Sequence, residues 1–432
     1  EEYYKAKAAV LNRLGIAFAE THAAATGATG IVSPVSGEVA QAVGEPETTG
    51  VSTEVVHKIG DAFVNKPEGF TVHNKLQQLL EKRLDMSRNG HVDWGFGELL
   101  AFGSLLMEGT NVRLAGQDAR RGTFVQRHAV LHDRANGQEW LPLANLSETQ
   151  GRFYVYDSLL SEYAAMGFEY GYSVERPDTL TLWEAQFGDF ANGAQSVVDE
   201  YISAAEQKWG QQSSVVLLLP HGYEGQGPDH SSARIERYLQ MCAQDNMTVA
   251  RPSTPASYFH LLRRQAYARP RRPLVVFTPK AMLRLRSATS TVEDFTTGRF
   301  ETVLDDTRAI DKASVSRVLL HSGKIHWDLV AELEKKPNPN VALVRVEQFY
   351  PAPVDEINRI IDSYPNAELV WVQDEPENQG AWPFIVLEVV KHLHGRTIRR
   401  ISRAAAASTA TGSPKVHARE QAEILEKALT TS

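Results

Sequence analysis

Short apolar runs and longer amphipathic stretches alternate along most of the chain. Runs rich in Val, Ile, Leu and Phe between polar turns are typical of buried strands, whereas apolar positions recurring every three or four residues are typical of helices. Strand candidates occur at residues 112–114, 153–156, 181–190, 215–220, 247–250, 274–278, 318–321, 341–346 and 369–372. Strands that alternate with helices through short connections predict an α/β fold with parallel sheets.

Helices are predicted at residues 94–108, 191–209 and 255–265 from the same patterns. A further helix is predicted to begin at Asp157 or Ser158, because short polar side chains that accept a backbone hydrogen bond favour the N-cap position.

Changes in composition divide the chain into three parts. Residues 1–92 open with an amphipathic stretch at 1–21, followed at 23–53 by a segment rich in Ala, Thr, Gly, Ser and Pro without a sustained period. We therefore expect a helical and low-complexity linker region there. The alternating pattern occurs twice after it, which predicts two parallel-sheet, three-layer domains at 93–300 and 301–432.

The composition limits the classes of protein. The chain has 432 residues, of which 42% are apolar, and a formal net charge of −8. This charge gives no overall basic field for nucleic acid or an anionic membrane. One cysteine, Cys242, rules out an intrachain disulfide framework and fits a reducing compartment. With no apolar run of membrane-spanning length, we expect a soluble, cytoplasmic protein.

Residues 221–234, HGYEGQGPDHSSAR, form the densest group of chemically active side chains, and we call them the histidine loop. The loop follows the strand candidate at 215–220 and precedes a helix that Ser231 or Ser232 is predicted to cap. It therefore lies at the carboxyl end of a strand, where open α/β sheets bind ligands. Its glycines permit close backbone approach to a ligand, and His221 and His230 titrate near neutral pH.

The loop leaves several interpretations open. Its glycines do not follow the dinucleotide fingerprint, and no phosphate-binding GxxxxGK[ST] motif occurs in the chain. Zinc binding by the two histidines and an ordinary polar loop remain alternatives to a catalytic role.

Five stretches resemble the decarboxylating component of 2-oxoglutarate dehydrogenase, a thiamine-diphosphate enzyme of the transketolase-like group, in its actinobacterial form. They are HGYEGQGPDHSSARIERYLQ, NVRLAGQDARRGTFVQRHAVLHD, WEAQFGDFANGAQ, PSTP and QDEPENQGAWP, and the resemblance runs from about residue 70 to the end of the chain. It implies a transketolase-like pyrimidine-binding domain at 93–300 and the carboxyl-terminal domain of the same group at 301–432.

The resemblance also implies roles for individual residues. Glu162 matches the glutamate that hydrogen-bonds the aminopyrimidine of thiamine diphosphate and activates the cofactor, for which burial would raise the carboxyl pKa. Phe190 matches the aromatic residue that packs against the aminopyrimidine, and Phe187 is a second candidate. His221 and His230 are candidates for acting on substrate intermediates, with His230 favoured. From the residues alone, Glu162 is also a favourable helix-dipole partner, and the phenylalanines are also consistent with core packing.

The implied activity is oxidative decarboxylation of 2-oxoglutarate, with succinyl transfer to lipoamide on a dihydrolipoyl succinyltransferase. We expect a homodimer in which this chain carries the aminopyrimidine half of the site. An amino-terminal half of the same enzyme would bind the diphosphate and most of the magnesium ligands, so no metal ligand is assigned here. A related 2-oxo acid decarboxylase or carboligase and a non-catalytic dimerising protein are the alternatives.

One motif imitates a metal site. Gly60 and Asp61, followed by Asn89, resemble the GDG…N signature that holds the diphosphate through magnesium. However, that signature follows a strand, and the pattern at residues 55–59 predicts a helix.

Two arginine-rich segments are ambiguous. The first segment contains Arg120, Arg121, Arg127, His128 and His132, and is either a solvated, salt-bridged loop or an active-site border. The second contains Arg263, Arg264, Arg269, Arg271 and Arg272, and is either a solvated surface or a phosphate site. The resemblance implies that Arg272 binds acetyl-CoA as an allosteric effector.

Overall fold

The computed structural model describes residues 48–430. The helix predicted at 1–21 and most of the segment at 23–53 lie outside the described residues. None of the helices between residues 48 and 430 has both the length and the apolar character needed to cross a membrane.

Two sheets organise this part of the chain. The strand order in the first sheet is Gln348–Tyr350, Thr248–Ala250, Leu274–Thr278, Val216–Pro220, Thr179–Glu184, Asn111–Gly116 and Phe153–Asp157. The order in the second sheet is Ile398–Arg403, Glu368–Pro376, Arg317–His321, Val341–Val346 and Val303–Leu304. A small hairpin joins Leu131–His132 to Glu139–Trp140. Neighbouring strands in the two sheets run parallel, except that one edge strand of each sheet is antiparallel. This arrangement confirms the predicted α/β class.

Helices connect the strands. The longer α-helices are Thr53–Ala62, Asn74–Asn89, Trp94–Met107, Glu162–Glu175, Pro255–Tyr267, Ile325–Lys335, Val354–Ile361 and Pro414–Leu429. Shorter α-helical pieces are Gln195–Val197, Ala205–Trp209, Ile235–Gln240, Glu293–Thr296 and Trp382–Phe384. The 3₁₀ turns are Pro142–Asn145, Gly188–Ala194, Pro228–His230, Ala281–Arg284 and Val390–His392, and the π-helical turns are Val198–Ile202 and Ile385–Val389.

Apolar side chains fill three layers of core. Successive residues of the central strand Val216–Pro220 face opposite sides of the first sheet. Leu218 packs with the helix Trp94–Met107 on one side, whereas Leu217 on the other belongs to a cluster that also contains Leu320 of the second sheet. The far face of the second sheet is covered by the last helix of the chain. Because one apolar core is continuous between the two sheets, its burial holds them in a defined relative position.

The helix predicted at residues 191–209 is interrupted. A 3₁₀ turn, Gly188–Ala194, leads into short α- and π-helical pieces, and regular helix resumes only at Ala205–Trp209. Within the interruption, the carbonyl of Ser203 accepts a hydrogen bond from the Asn246 side chain at 2.8 Å.

The predicted N-cap residues were wrong at two helices. The cap of the helix Glu162–Glu175 is Ser161, whose side chain accepts a hydrogen bond from the Ala164 amide at 3.3 Å. The predicted caps, Asp157 and Ser158, belong to the preceding strand end and connection.

The helix after the histidine loop begins at Ile235, and not directly after Ser231 or Ser232. The residue before it, Arg234, has a left-handed φ of 59°, so the chain turns before the helix starts. Cys242, expected on the buried face of this helix, lies just beyond its end and is partly buried against the core between the sheets.

Two stacked histidines, His321 at the end of a second-sheet strand and His326 in the helix Ile325–Lys335, predict a loss of stability in acid. His321 Nδ1 contacts the Leu319 carbonyl at 2.9 Å, and its Nε2 contacts His326 Nδ1 at 3.0 Å, so the pair is satisfied when both rings are neutral. Burial lowers the pKa of His321 to about 4 and also lowers that of His326, with Arg345 adding to both effects. The unfolded chain takes up protons near pH 6.5 and the folded chain does not, so stability should fall as the pH drops from about 6.5 towards 4.

We expect the unfolding free energy in urea to decrease by about 2 kcal/mol for each of the two histidines between pH 7 and pH 5, and His326→Gln to reduce this dependence. His394→Gln, which changes an exposed histidine, is the control. Equal pH dependence in all three proteins would contradict the prediction.

Candidate active site

Glu162 lies at the carboxyl edge of the first sheet. It is the first residue of the helix Glu162–Glu175, where the positive end of the helix dipole favours a carboxylate. Its Oε1 accepts a hydrogen bond from Gln117 Nε2 at 3.0 Å, and Gln117 follows directly after the strand Asn111–Gly116. The side chain is partly exposed, so this carboxylate is held in place and open to a ligand.

Phe187, Phe190 and His230 form an aromatic cluster beside this carboxylate. The ring of His230 lies 4.5 Å from that of Phe187 and 5.6 Å from that of Phe190, both edge-on. The two phenylalanines are partly exposed and His230 is exposed. Three of the predicted site residues therefore meet with ring surface left free for a flat ligand.

The 3₁₀ turn Gly188–Ala194 brings the cluster to Glu162. This turn carries Phe190 and packs against the helix that Glu162 begins. At Gly193, a Cβ atom would lie 3.7 Å from Glu162 Oε2, which shows how closely the turn approaches the carboxylate. Four of the predicted residues, Glu162, Phe187, Phe190 and His230, thus share one site.

Asp189 joins the aromatic cluster to the histidine loop. Its Oδ1 accepts the amides of Ser231 at 3.3 Å and Ser232 at 3.1 Å, directly after His230. Burial raises the carboxyl pKa of Asp189, and its Oδ2 has no hydrogen-bond partner within residues 48–430. Gly188 is required beside it, because a Cβ atom there would lie 2.4 Å from that of Ala233.

His221 lies apart from the open part of the site. Its side chain is 0% exposed, and both ring nitrogens are occupied. Nε2 lies 2.6 Å from Glu375 Oε1, and Nδ1 accepts the Ala233 amide at 3.1 Å. The two histidines of the loop, equivalent in the sequence, thus occupy different environments.

Arg127 anchors the arginine-rich loop from inside the protein. Its guanidinium is fully buried and makes paired hydrogen bonds to Glu98 and Glu184, with distances from 2.6 to 3.2 Å. Burial opposes the charge, but Glu184 and Glu98 outweigh it and raise the Arg127 pKa well above its ordinary value. For Arg127, the interpretation as a solvated loop residue was therefore wrong.

The other members of that loop are more accessible. Arg120 pairs with Glu139 at 2.6 Å, and Arg121 pairs with Asp118 at 3.2 Å. Burial, together with Arg83 and Arg121, lowers the pKa of His128 to about 4. These side chains and His132 line a cavity of about 420 Å³ at the rim of the first sheet.

Lys280 and Glu375 also shape the site, and the sequence did not single them out. Lys280 Nζ donates to the His230 carbonyl at 2.6 Å and lies 6.0 Å from the Phe187 ring centre, while burial lowers its pKa. Lys280 closely follows the strand Leu274–Thr278, so its strand-end position was an available signal. Glu375 reaches the site from the second sheet, over a sequence distance that no local pattern reveals.

Arg272 lies at the other edge of the first sheet. It precedes the strand Leu274–Thr278 by two residues, whereas the site lies at the carboxyl ends of the parallel strands. Its Nε lies 3.0 Å from Glu206 Oε2, and both side chains are about a third exposed.

The other arginines near Arg272 are not uniformly solvated. Arg263 is buried and bound to Glu108, and Arg264 donates to Gln348 at 2.7 Å.

The metal-like motif is helical. Gly60 and Asp61 lie within the helix Thr53–Ala62, and Asp61 pairs with Arg88 at 2.6 Å. Across residues 48–430, no group of three or more His, Cys, Asp or Glu side chains is arranged to hold a metal ion.

Two family models match the chain. Residues 90–286 match the transketolase pyrimidine-binding domain, and residues 289–429 match the 2-oxoglutarate dehydrogenase C-terminal domain. The first match and the strand-edge site define a transketolase-like protein of the class that uses thiamine diphosphate.

Comparison with two longer relatives shows which transketolase-like proteins this chain is similar to. The chain is 54% identical over 393 residues to the multifunctional 2-oxoglutarate metabolism enzyme of Mycobacterium sp. (strain JLS), covering 88% of this chain and 31% of that enzyme. It is 52% identical over 388 residues to the 2-oxoglutarate dehydrogenase E1/E2 component of Corynebacterium glutamicum, covering 88% of this chain and 32% of that protein. The chain belongs to the 2-oxoglutarate dehydrogenase family, and it spans about a third of the length of these curated relatives.

Proposed function

We propose that the chain forms the aminopyrimidine half of a thiamine-diphosphate-dependent 2-oxoglutarate dehydrogenase that acts in the cytoplasm. The enzyme decarboxylates 2-oxoglutarate oxidatively and transfers the succinyl group to lipoamide on a dihydrolipoyl succinyltransferase. The observation that carries the proposal is the Glu162 carboxylate beside the open rings of Phe187 and Phe190 and the exposed imidazole of His230. The E1/E2 name of the Corynebacterium relative supports the succinyltransferase as partner.

The residues of the site fit the cofactor. An aminopyrimidine is a flat ring with polar edges, so its recognition requires a carboxyl group for a ring nitrogen and an apolar surface for a face. Glu162 supplies the first and Phe190 the second, both within one strand-edge site. When bound, thiamine diphosphate supplies the electron sink for decarboxylation of a 2-oxo acid.

The side chains of this chain divide the remaining tasks. Glu162 holds a proton at the ring edge, and Phe190 orients the ring and keeps water from its face. His230 is the exposed imidazole, so it is placed to move a proton on the substrate side. Magnesium and the diphosphate are assigned mainly to an amino-terminal half of the same enzyme, since the relatives are about three times longer than the matched region.

The test of this function is 2-oxoglutarate-dependent reduction of an artificial electron acceptor, with thiamine diphosphate and magnesium present. The chain is assayed alone and mixed with the separately expressed amino-terminal segment of the enzyme. We expect activity only after mixing. The same assay is repeated with a panel of other 2-oxo acids, and faster turnover of one of these than of 2-oxoglutarate would refute the substrate assignment. The absence of any thiamine-dependent signal would favour a non-catalytic protein.

A homodimer is proposed because large apolar side chains surround Glu162 on the surface. Leu159, Leu160 and Tyr163 are 83%, 86% and 58% exposed, although they flank the proposed cofactor site. Contiguous exposed apolar groups of this kind mark interfaces. We expect Leu160→Glu to lower the sedimentation coefficient towards that of a monomer. Trp209→Gln, which changes an exposed side chain near the opposite sheet edge, should not; equal dimer content in both variants would argue against this interface.

Arg272 is proposed as the anchor for acetyl-CoA, an allosteric effector. The Arg272 guanidinium pairs with the Glu206 carboxylate, and both side chains are accessible to solvent. A phosphate group of the effector can therefore replace Glu206 as the partner of the guanidinium. Activation by acetyl-CoA should be lost in Arg272→Ala. It should persist in Arg399→Ala, which disrupts a glutamate pair at the edge of the second sheet. Unchanged activation in Arg272→Ala would remove the assignment.

A further inference from the structure

The hydrogen bonds of His221 define its protonation state. A backbone amide is always a donor, so the Ala233 amide at 3.1 Å requires an unprotonated Nδ1. The proton of the neutral ring is then on Nε2, where it donates to Glu375 Oε1 at 2.6 Å. A second proton would place two donors face to face at Ala233. The geometry therefore selects one tautomer of the neutral His221 ring.

Glu375 is held as an acceptor by its own surroundings. It is fully buried near the end of the strand Glu368–Pro376, and it also accepts from Arg251 Nη1 at 3.0 Å. Burial alone would raise the carboxyl pKa, but the charge of Arg251, together with the hydrogen bond and the electrostatic effect of His221, outweighs it and lowers the pKa to about 2.

The charged groups near His221 are Glu375 from the second sheet, Arg251 directly after the strand Thr248–Ala250 of the first sheet, and Asp189 from the 3₁₀ turn Gly188–Ala194. The rings of Tyr223 and Phe277 pack against the imidazole.

The residues that follow Glu375 contact the histidine loop and the helix after it at two further points. Tyr223 Oη donates to Gln379 Oε1 at 3.1 Å, and the Gly380 amide donates to Glu236 Oε2 at 2.8 Å. Gly380 has a φ of 70°, and a Cβ atom there would lie 2.9 Å from that of Glu375. The conformation in which residues 373–380 pack against the histidine loop therefore requires glycine at position 380.

His230 differs in every one of these respects. Its ring is exposed and makes no hydrogen bond within the described chain, while its backbone is held by Lys280 at the carbonyl and by Gly227 at the amide. Its position is fixed, and its imidazole is free.

We infer that Glu375 is a positioning residue of the active site: through His221 it fixes the shape of the histidine loop, so that the loop presents the His230 imidazole to the site. The inference deepens the proposed function and rests on it for its catalytic meaning. The fixed pair itself is a property of the protein that is measurable without cofactor or substrate.

The first test is a ¹⁵N NMR spectrum at pH 7 of the 432-residue chain labelled in histidine, with assignment by His221→Phe and His230→Gln. We expect the ring nitrogens of His221 to show the signals of the tautomer that carries its proton on Nε2. A His221 ring that carries a proton on Nδ1 overturns the inference.

The second test is hydrogen exchange of the loop amides. Glu375→Ala should speed exchange of peptides covering residues 222–234 by about tenfold, because the His221 link is lost. Glu377→Gln is the matched control, since Glu377 is an exposed carboxylate in the same segment that pairs only with Arg400 at the rim. If Glu375→Ala fails to fold, His221→Phe replaces it, since the pair of Glu375 with Arg251 then remains. Unchanged exchange in the folded variant overturns the inference.

The complete enzyme supplies a third readout. His221→Phe should lower kcat about tenfold with an unmoved pH profile, whereas His230→Gln should remove a limb of that profile. Loss of the limb in His221→Phe overturns the inference. If the complete enzyme has no activity on 2-oxoglutarate, the proposed function fails, and the NMR and exchange results still decide whether the pair is fixed.

Discussion

Glu162→Gln is expected to lower thiamine-dependent turnover by about a thousandfold, within the range typical of losing a general acid–base group. The amide keeps the size and the hydrogen bond to Gln117 but cannot exchange a proton with a ring nitrogen. Since Glu162 is a partly exposed first residue of a helix, its replacement should leave the melting temperature nearly unchanged. The measurement is the steady-state rate with saturating cofactor, alongside a thermal melt.

Glu175→Gln is the control for this result, because Glu175 is an exposed carboxylate at the other end of the same helix. Its turnover should equal that of the wild type. Substantial activity in Glu162→Gln, with the control intact, would contradict the assignment of Glu162 as the activating carboxyl group.

Arg127→Met should cost about 3–5 kcal/mol of unfolding free energy, the range for breaking a buried ion pair by removing one partner. The methionine leaves Glu98 and Glu184 buried without their shared cation, and the loop that begins after Gly116 loses its internal anchor. Urea unfolding at neutral pH measures the loss.

Two comparisons make the Arg127 result specific. Arg121→Met breaks an exposed pair with Asp118 and should cost less than about 1 kcal/mol. Adding Glu184→Gln to Arg127→Met should recover part of the loss, because one stranded charge is removed. A loss in Arg127→Met no larger than in Arg121→Met would show that the buried network does not support the fold.

Most of the longer strands of residues 48–430 follow from local patterns, because their runs are apolar. The strand Ile398–Arg403 was not predicted, since it carries three arginines and is mostly not fully buried. The clearest failures involve long-range partners. No local pattern could reveal that the Asn246 side chain binds the Ser203 carbonyl within the interrupted helix. In the same way, no local pattern could reveal that the amides of Ser231 and Ser232 bind Asp189, more than forty residues earlier, and that the helix begins only at Ile235.

The site residues also divide into those that the sequence singled out and those whose surroundings only the fold reveals. Strand-end position and composition led to Phe187, Phe190 and His230, and the family resemblance led to Glu162. The fold brings these four residues together, and their roles stay predictions. The burial of His221 could not be read from the loop, because its partner Glu375 follows 154 residues later in the chain. Arg127 looked like its accessible neighbours, since only the fold brings Glu98 and Glu184 to it.

The edge strand Gln348–Tyr350 affects whether the two domains can be expressed separately. It comes from the later part of the chain, yet it covers the open side of Thr248–Ala250 in the first sheet. A gene fragment that stops near residue 300 would encode a sheet with a bare row of amide and carbonyl groups, which invites pairing with other chains. We therefore expect the two domains to be stable only when expressed together, and a chimaera with a foreign second domain to need its own covering strand.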